Sequence, residues 1–364
     1  MSEWRILKLS EICKIKYGKD HKKLSTGNIP VYGTGGIMRY VDTALFNKNS
    51  VLIPRKGSLD NLYFVESPFW TVDTLFYTDI DEDLVTPEFL YYQLKTLDLY
   101  EMNVGTAVPS LTTSVLNELD IAVPSLPLQE KIGKVLKVLD NKIAYNTAIN
   151  HHLEQVAQAI FKSWFMDFEP TVPFTEAVQV LGGGTPKTTA AEYWYGSIPF
   201  FTPKDATELY VLATEKTLTE AGLNNCNSRL YPENTVFVTA RGTVGKLAMA
   251  GVSMAMNQSC YALIGKSGYG QHFVYHLALE TVKHLKNKAS GAVFDAIVTR
   301  DFESELIAAP PIESRNEFEV KVKPIYEAIL NNANESACLA ALRNTLLPRL
   351  MSGELSVIDL SGEK

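Results

Sequence analysis

Two glycine turns in this sequence place cationic side chains beside small hydroxyl groups. Glycine lets the backbone approach an anion closely, and amide, hydroxyl and cationic groups then share its negative charge. These turns are therefore candidate phosphate sites, although each would also suit a plain strand turn whose glycine adopts a positive φ. They hold Arg55, Lys56, Gly57 and Ser58 in the first half of the chain and Arg241, Gly242, Thr243 and Lys246 in the second.

Loop segments with lysine and threonine form a second group of candidates. Their side chains can reach base edges in a major groove, where donors and acceptors differ between base pairs. An aspartate suits such a loop because it accepts a hydrogen bond from a cytosine amino group. We expect nucleic-acid contacts from Lys19, Lys22, Lys23, Thr34, Gly35 and Arg39, and from Lys187, Thr188, Lys204 and Asp205.

Catalytic signatures are missing from the sequence. The segment GTVGKLAM at 242–249 has two residues between its glycines where a P-loop needs four, and Leu247 stands where a hydroxyl is required. The segment LGGGTP at 181–186 lacks the spacing of a dinucleotide fingerprint and fits a turn. No Asn-Pro-Pro-aromatic or Asp-Pro-Pro-aromatic tetrapeptide of the amino-methyltransferases occurs. We predict no catalytic residue; a stand-alone hydrolase or nucleotide-dependent enzyme is the alternative, which activity of the isolated chain would favour.

Histidine and cysteine spacing gives little support to a metal site. His272 and His276 are four residues apart, but no third ligand stands out nearby, so we interpret them as surface histidines of a helix. The cysteines are unpaired in spacing, which predicts neither zinc nor a disulfide framework and leaves buried or inert thiols. They are Cys13, Cys226, Cys260 and Cys338.

An internal repeat organises the elements that carry these residues. Segment 104–124 aligns with 290–310 at offset 186, which places Gly105 opposite Gly291 and Pro124 opposite Pro310. Shorter matches follow in the same order: 49–58 with 234–243, and 29–32 with 198–201. The offset of 169 at the last pair indicates insertions of loop length in the second half. The chain is therefore one unit duplicated, with the globular parts diverged most.

Each half begins with short runs of β-branched and aromatic residues, with helical patterns at 86–102 and 271–287. This pattern predicts an α+β protein in which two globular α/β domains are separated by two long antiparallel coiled-coil helices with a pseudo-two-fold repeat. The expected bounds are a first domain at 1–126, a helix at 127–169, a second domain at 170–311, a helix at 312–352 and a C-terminal tail at 353–364.

Both predicted helices carry a heptad of apolar residues interrupted by a polar layer. Ile132 begins the first heptad and Phe318 the second, at offset 186. If the helices pair antiparallel, Asn146 meets Ser336 and Asn150 meets Asn332. A parallel pair would match the layers by number, and a solvent-exposed face is a further alternative. Pro324 predicts a bend or a late start of the second helix.

Charge is distributed unevenly along the chain, whose net charge is −7. Residues 1–56 hold 11 basic and 4 acidic side chains, residues 57–125 hold 1 and 12, and residues 170–310 hold 11 and 12. The first segment suggests a basic lobe suited to phosphates; an unevenly charged solvated surface is the alternative. No apolar run approaches the roughly 20 residues of a membrane span, so we expect a cytoplasmic protein.

The order of domain and helix resembles the specificity subunits of Type I restriction-modification systems over nearly the whole chain. The resemblance is carried by WRILKLSEI, VYGTGG, PRKGS, ARGTVGK, FKSWFMDFEP and LLPRLMSGEL, in order. It implies target-recognition domains that each read half of an interrupted site in double-stranded DNA. It also implies two methyltransferase subunits docked on the helices, with restriction subunits bound through them. The second domain has no clear match to VYGTGG, so its contacts need not be equivalent.

The resemblance implies a non-catalytic subunit without a cofactor of its own, with S-adenosylmethionine bound by the methyltransferase partners. Half-sites are then expected about 10 bp apart from centre to centre. A regulatory or degenerate relative that binds the partners without reading DNA is the alternative. Proposed partner anchors are Phe161, Trp164, Phe165, Leu346, Leu347 and Leu350, of which at least half could instead pack the two helices together.

Overall fold

A computed structural model describes residues 4–266, 268–288 and 296–357. The chain divides into two compact units, with unit 1 comprising Met1–Ile143 and Cys338–Lys364 and unit 2 comprising Ala144–Ala337. Gly291, the predicted counterpart of Gly105, lies outside the described residues, as do positions 358–364 of the predicted tail.

The first half of the described chain forms short strands and helices that lead into one long helix. The strands are β1 (Arg5–Lys8), β2 (Cys13–Tyr17), β3 (Ile29–Gly33), β4 (Gly36–Val41), β5 (Ser50–Pro54), β6 (Tyr63–Val65), β7 (Trp70–Thr71), β8 (Leu75–Ile80) and β9 (Asp120–Val123). The helices are α1 (Leu9–Ile12), α2 (Pro87–Lys95), α3 (Thr113–Asn117) and α4 (Leu126–Phe165).

The second half repeats this order. Its strands are β10 (Pro170–Pro173), β11 (Val178–Gly182), β12 (Trp194–Phe201), β13 (Tyr210–Val211), β14 (Thr217–Leu218), β15 (Val236–Thr239), β16 (Leu247–Ala250), β17 (Ala255–Met256), β18 (Cys260–Gly265) and β19 (Leu306–Ala308). Its helices are α5 (Phe174–Ala177), α6 (Glu220–Asn224), α7 (Gln271–Lys288), α8 (Thr299–Ser304) and α9 (Ile312–Met351).

Sheet connectivity confirms the internal repeat. Unit 1 has sheets of order β1-β9, β2-β8-β5-β6 and β4-β3-β7, and unit 2 has β10-β19, β11-β18-β15-β16-β13 and β14-β12-β17. The one parallel pairing of the three-stranded sheet recurs, with Val31 opposite Trp70 in unit 1 and Phe200 opposite Ala255 in unit 2. Strand by strand the two sets match, apart from the additional β13.

The additional strand explains why the second half lacks the VYGTGG loop. In unit 1 only Thr34 and Gly35 separate β3 from β4. In unit 2 the chain between β12 and β14 spans 202–216, and β13 within it pairs in parallel with β16. A tight hairpin turn is thus replaced by a longer excursion that joins a different sheet.

The long helices pair antiparallel within unit 2, as in the predicted fold class, and this pairing decides between the two directions that the polar layers allowed. Asn146 donates to Ser336 Oγ at 3.2 Å, and Asn332 donates to Asn150 Oδ1 at 2.8 Å. Further along α4, the ring of Phe161 lies 5.7 Å from that of Phe318. Contacts further toward the C-terminal end of α4 therefore involve residues further toward the N-terminal end of α9, which excludes the parallel alternative. Asn146 is 1% exposed, so this face is not solvated.

Within unit 1 the same two helices meet through a polar pair and an apolar cluster. Arg343 of α9 forms an ion pair with Asp140 of α4, whose carboxylate also accepts a hydrogen bond from Tyr92 of α2 at 2.8 Å. Leu136 and Leu350 are both fully buried in the core of this unit. The helices are therefore part of the core and do not stand apart from the globular domain.

Two local helix expectations are contradicted, the helix end at 102 and the late start at Pro324. The helix expected to end at 102 ends at Lys95, because the Asp98 carboxylate accepts from the Tyr100 amide at 2.9 Å and stabilises a turn. Helix α9 begins at Ile312 and continues through Pro324, so the late start does not occur. Val320 is 75% exposed, so water can solvate the carbonyl that a proline leaves unpaired.

Candidate nucleic-acid interface

The structure brings two of the predicted groups in unit 1 together. The Thr34 hydroxyl donates to the carbonyl of Lys56 at 3.3 Å, across 22 residues of sequence. The Thr34 carbonyl accepts from Asn61 Nδ2 and from the Tyr63 hydroxyl, each at 2.9 Å. The hairpin tip, Thr34 and Gly35, and the turn after β5 therefore form one surface.

Both glycine turns share a positive φ and a backbone hydrogen bond at the equivalent position. Gly57 has φ +95° and Gly242 has φ +79°. In unit 1 the Leu111 amide donates to the Arg55 carbonyl at 2.9 Å, and in unit 2 the Ile297 amide donates to the Ala240 carbonyl at 2.9 Å. The strand-turn alternative is correct about the backbone, since both glycines need a positive φ. Any contact with phosphate would then come from the flanking side chains.

Exposed cations and hydroxyls flank each glycine. Lys56 and Ser58 are exposed in unit 1, and Arg241 and Thr243 are exposed in unit 2. Residues 56 and 241 each form an isolated bridge to the other side of the turn, Lys56 with Ser110 and Arg241 with Ala296. Their side chains therefore leave the protein at corresponding positions.

The connection between β2 and β3 presents the predicted lysines of unit 1. Lys19, Lys22 and Lys23 are all exposed. The Lys19 carbonyl accepts from Trp70 Nε1 at 2.9 Å, and its amide donates to the Thr71 carbonyl at 2.8 Å. Arg39 of β4 donates to the Leu24 carbonyl at 3.0 Å, so it braces this loop. Arg39 therefore has a structural role that the sequence did not indicate.

One predicted base-reading residue, Asp205, and one predicted phosphate-turn residue, Arg55, form hydrogen bonds with other parts of the protein. Asp205 accepts at 2.7 Å from both the amide and the hydroxyl of Thr202, and at 3.1 Å from the Glu215 amide. Its carboxylate therefore stabilises its own loop, and the contact with cytosine stays a prediction. Arg55 donates to the Asp73 carbonyl at 3.0 Å and lies 5.3 Å from the ring centroid of Tyr17. It braces the turn and leaves Lys56 as the exposed cation.

The remaining candidates of unit 2 lie in three different loops. Lys187 and Thr188 are exposed in the connection from β11 to β12, where the Lys187 carbonyl accepts from Trp194 Nε1 at 3.3 Å. Lys204 lies in the excursion before β14 and forms an ion pair with Glu215 at 3.6 Å. Lys246 follows the glycine turn and donates to the Ala206 carbonyl at 3.3 Å.

The basic lobe of the first 56 residues is partly neutralised by the acidic segment after it. Lys8 pairs with Asp120 at 2.9 Å, and Lys16 pairs with Asp79 at 2.7 Å. The Lys16 ammonium lowers the pKa of the Asp79 carboxyl below its ordinary value, chiefly through this hydrogen bond. The acidic segment thus supplies counter-charges within the domain, which leaves the loop lysines as the exposed part of the lobe.

Several exposed apolar side chains on the candidate surfaces were missed by the sequence reasoning. On β4, directly after the hairpin tip, Ile37 is 50% exposed, Met38 58% and Tyr40 48%. In unit 2 Tyr195 is 91% exposed. One sequence signal could have indicated the exposed residues of β4. Two apolar residues in succession follow the GTGG turn, whereas a strand with one solvated face would alternate apolar and polar residues.

Four of the six proposed partner anchors lie in the cores of their units, which favours the packing alternative. Phe161 and Phe165 are each 4% exposed and pack edge to face or tilted against Phe273, with ring centroids 5.3 Å and 5.0 Å away. Leu347 and Leu350 are buried in unit 1. These four have no surface to offer a partner. Trp164 and Leu346 are partly buried against the same cores.

His276 is buried and His272 is partly buried, which corrects the expected surface position of the pair. His276 is 1% exposed, and its Nε2 lies 2.9 Å from the Tyr326 hydroxyl. His272 forms a contact of 2.9 Å with Glu319. Over the described residues no group of three potential ligands could hold a metal ion. Nor does any helix in the described ranges have the length and apolar character of a membrane span.

The cysteines agree with the expectation of buried or inert thiols in two cases. Cys13 and Cys260 are buried, and burial raises the pKa of each thiol to about 12. Cys226 is partly exposed and Cys338 is exposed on α9, so burial does not extend to all four.

Comparison with known proteins agrees with this architecture. A family model described as the Type I restriction modification DNA specificity domain matches residues 1–155 and 168–334. The Type I restriction enzyme MjaIX specificity subunit of Methanocaldococcus jannaschii is 27% identical over 347 residues, which cover 87% of this chain and 80% of that protein. The HindI specificity subunit of Haemophilus influenzae is 26% identical over 387 residues, with 82% of each chain covered.

A solved structure shares the fold. The crystal structure of a Type-I restriction-modification system S subunit from M. genitalium matches with a TM-score of 0.60 at 16% identity, and the match covers 96% of each chain.

Proposed function

Because the chain belongs to the Type I restriction-modification DNA specificity family, we propose that its two globular domains read the two halves of a split DNA site. The chain is a DNA-recognition subunit and not an enzyme. Methylation of the recognised site belongs to methyltransferase partners, which bind S-adenosylmethionine. Restriction subunits would act through those partners.

The observation that carries the proposal is the repeated sheet connectivity with different loops. Each domain presents the same glycine turn, at Gly57 and at Gly242, on the same sheet order. The segments between equivalent strands differ, with two residues after β3 and the excursion 202–216 after β12. Common turns suit contacts to the phosphate backbone, which is the same in every sequence, and different loops suit different bases. We therefore infer an asymmetric site.

The two long helices are proposed to dock two methyltransferase subunits through exposed apolar residues. Val156 of α4 in unit 2 is 49% exposed, and Leu342 of α9 in unit 1 is 48% exposed, at offset 186. The repeat thus presents one apolar residue at the corresponding place on both helices. On α4 the same helix face adds Tyr145 and Ile149, which are 65% and 47% exposed. These residues replace the buried anchors as the proposed partner surface.

Sequencing of methylated adenines in cells that carry the chain with its methyltransferase tests the proposal. We expect one recurrent motif of two short halves separated by an unread spacer, with half-site centres about 10 bp apart. Gel-shift measurements at matched salt should give stronger binding to that motif than to the same halves joined without a spacer. Equal binding to both duplexes would count against the split site. Co-purified partners without any recurrent motif would favour a regulatory subunit that does not read DNA.

A further inference from the structure

Tyr195 of unit 2 is both strained and almost fully exposed. Its φ is +62°, a left-handed conformation that costs a side chain with a β-carbon free energy and that glycine or asparagine adopts more readily. Its exposed fraction is 91%, so the ring packs on very little of the protein. Tyr195 therefore contributes almost no buried surface to the stability of the fold, while its backbone conformation is unfavourable.

The strain is imposed by a bulge at the start of β12. Trp194 and Ile198 both lie opposite Leu218 of β14, so three residues including Tyr195 are extruded from the ladder. A β-carbon on Gly196 would overlap the carbonyl oxygen of Leu218, which holds the two backbones in close contact.

Hydrogen bonds on the preceding residues hold this bulge in place. The Thr219 amide donates to the Tyr193 carbonyl at 3.0 Å, and the Thr219 hydroxyl donates to the Glu192 carbonyl at 2.7 Å. Trp194 packs its ring against Phe200 at 5.6 Å. Both sides of Tyr195 are thus fixed, so the ring leaves the surface from a rigid base. Such a base limits the entropy that a contact with a ligand would cost.

A close backbone approach of the same kind occurs in unit 1. A β-carbon on Gly27 would overlap the carbonyl oxygen of Val41 of β4, as one on Gly196 would overlap that of Leu218. Gly27 and Gly196 also share the offset of 169 at which 29–32 aligns with 198–201. Thr26 is therefore the counterpart of Tyr195.

The loops before these two glycines begin in equivalent positions as well. A β-carbon on Gly18 would overlap the Val72 carbonyl oxygen, and one on Gly183 would overlap that of Asn257. The loop after Gly18 carries the exposed lysines at 19, 22 and 23, and the loop after Gly183 carries Lys187 and Thr188. Tyr195 thus closes the loop that corresponds to the most basic loop of the first domain.

Two lysines contact Trp194, the residue before the tyrosine. The Lys187 carbonyl is bound by Trp194 Nε1, and Lys216 Nζ lies 5.8 Å from the centroid of the Trp194 ring. An exposed ring next to a residue that contacts two lysines fits a polyanion that also presents base edges in a groove.

We propose that Tyr195 is a DNA-contacting residue of the second recognition domain, and that its ring becomes buried against base surfaces of one half-site. The inference rests on the proposed function. Rigid apolar side chains placed in a groove can pack against bases or enter between base steps. Contacts of an aromatic ring with a base contribute enough that their loss typically weakens binding by about 5-fold to 150-fold.

The test compares Tyr195→Gly and Tyr195→Phe in the complex with its methyltransferase, on the duplex motif recovered from cells carrying the unaltered chain. Tyr195→Gly should raise Kd about 10-fold or more without lowering the thermal midpoint, because glycine relieves the strained φ. Tyr195→Phe keeps the ring and should keep the affinity within about 2-fold. In the methylation pattern, Tyr195→Gly should relax only one half of the motif.

Thr26→Gly is the matched control, since it makes the same change at the counterpart position and should leave that half of the motif unaffected. Affinity of Tyr195→Gly within about 2-fold of the unaltered chain, or relaxation of both halves alike, would overturn the inference alone. If the unaltered chain yields no motif, the proposed function fails together with the inference.

Discussion

At the scale of single residues, the glycines of the two turns are explained by backbone conformation, whereas the cations beside them are not. Gly57 and Gly242 have positive φ angles, which explains glycine by conformation alone. The exposed cations next to them, Lys56 and Arg241, have no such explanation. Their substitution therefore tests whether the turns bind phosphate.

We expect Lys56→Ala and Arg241→Ala each to reduce the steepness of the salt dependence, so that the slope of log binding constant against log salt concentration becomes less negative by about 1. Each variant removes one cation from the phosphate contact, so binding should weaken about equally on all sequences. Fluorescence anisotropy over a series of salt concentrations measures the slope. Lys283→Ala, an exposed lysine on α7 that pairs with Glu280, is the control and should keep it. Unchanged slopes in both turn variants would leave only the strand-turn interpretation.

Buried His276 couples the stability of unit 2 to pH. Burial is the main cause that lowers its pKa to about 3, and the nearby His272 and Lys162 act in the same direction. The ordinary pKa of a histidine in an unfolded chain is about 6.5. Between these two values the unfolded state binds a proton that the folded state does not, so acidification favours unfolding.

Unit 2 should therefore lose about 2 kcal/mol of unfolding free energy through His276 when the pH falls from 7 to 5. His276→Gln keeps a hydrogen-bonding group near the Tyr326 hydroxyl but does not titrate, so it should reduce the loss by that amount. Urea unfolding at the two pH values measures the difference. His284→Gln changes an exposed histidine of the same helix and should leave the loss unchanged. Equal losses in His276→Gln and the unaltered chain would contradict this.

At the scale of elements, the long helices combine a buried face with an exposed one. Phe161 lies between α7 and α9 and stacks on His276 with ring centroids 5.0 Å apart. Val156, five residues earlier on the same helix, is 49% exposed. The two faces should therefore respond differently to substitution.

Phe161→Ala should lower the unfolding free energy of unit 2 by about 3–5 kcal/mol, because it leaves a cavity in a packed aromatic cluster. Denaturant unfolding followed by tryptophan fluorescence measures this loss. Val156→Ala removes fewer atoms from a half-exposed site and should change stability by roughly 0.5 kcal/mol or less. A Phe161→Ala chain of normal stability that no longer binds methyltransferase would instead restore Phe161 as a partner anchor.

The exposed face predicts partner stoichiometry. We expect Val156→Asp and Leu342→Asp each to reduce the complex from two methyltransferase copies per chain to one, because a buried charge without a partner opposes docking. The double variant should bind none. Native mass spectrometry of co-expressed complexes counts the copies. Leu230→Asp, at a 50% exposed leucine off the long helices, is the control. Two copies bound to the double variant would place docking elsewhere.

At the scale of the whole molecule, duplication makes the two domains interchangeable in principle. Their sheets have the same order apart from β13, and both domains are joined to the long helices in the same sequence of elements. Sequence preference should therefore follow the domain and not its position in the chain.

A chain in which 170–311 is replaced by a second copy of 1–126 should direct methylation to a motif with two identical halves. The half-site read by the original second domain should disappear from the motif. Sequencing of methylated adenines in cells that carry this chain gives the result directly, with the unaltered chain as the control. Retention of the original asymmetric motif would show that the specificity does not reside in 170–311.

Sequence periodicity by itself determined the elements that repeat with a fixed spacing. The seam from Ile132 and its copy from Phe318 predicted two long helices, and Asn146 and Asn150 predicted a polar layer within their contact, although not the direction of the pair. Such features are local in sequence, because burial of a helix face requires apolar residues every three or four positions. Short segments in fixed order also predicted the duplicated domains and the family.

Only the tertiary structure decided which side chains face solvent. Phe161 was predicted as a partner anchor and His276 as a surface histidine, yet Phe161 of α4 is buried against α7 and α9. His276 of α7 is buried against α4 and α9. Asp205 and Arg55 lie in loops that suit DNA, but Asp205 accepts from the Glu215 amide and Arg55 donates to the Asp73 carbonyl. Tyr195 gave no signal in sequence, since its exposure results from a bulge set by pairing with a distant strand. Contacts between residues far apart in the chain determine these positions, and no local pattern records them.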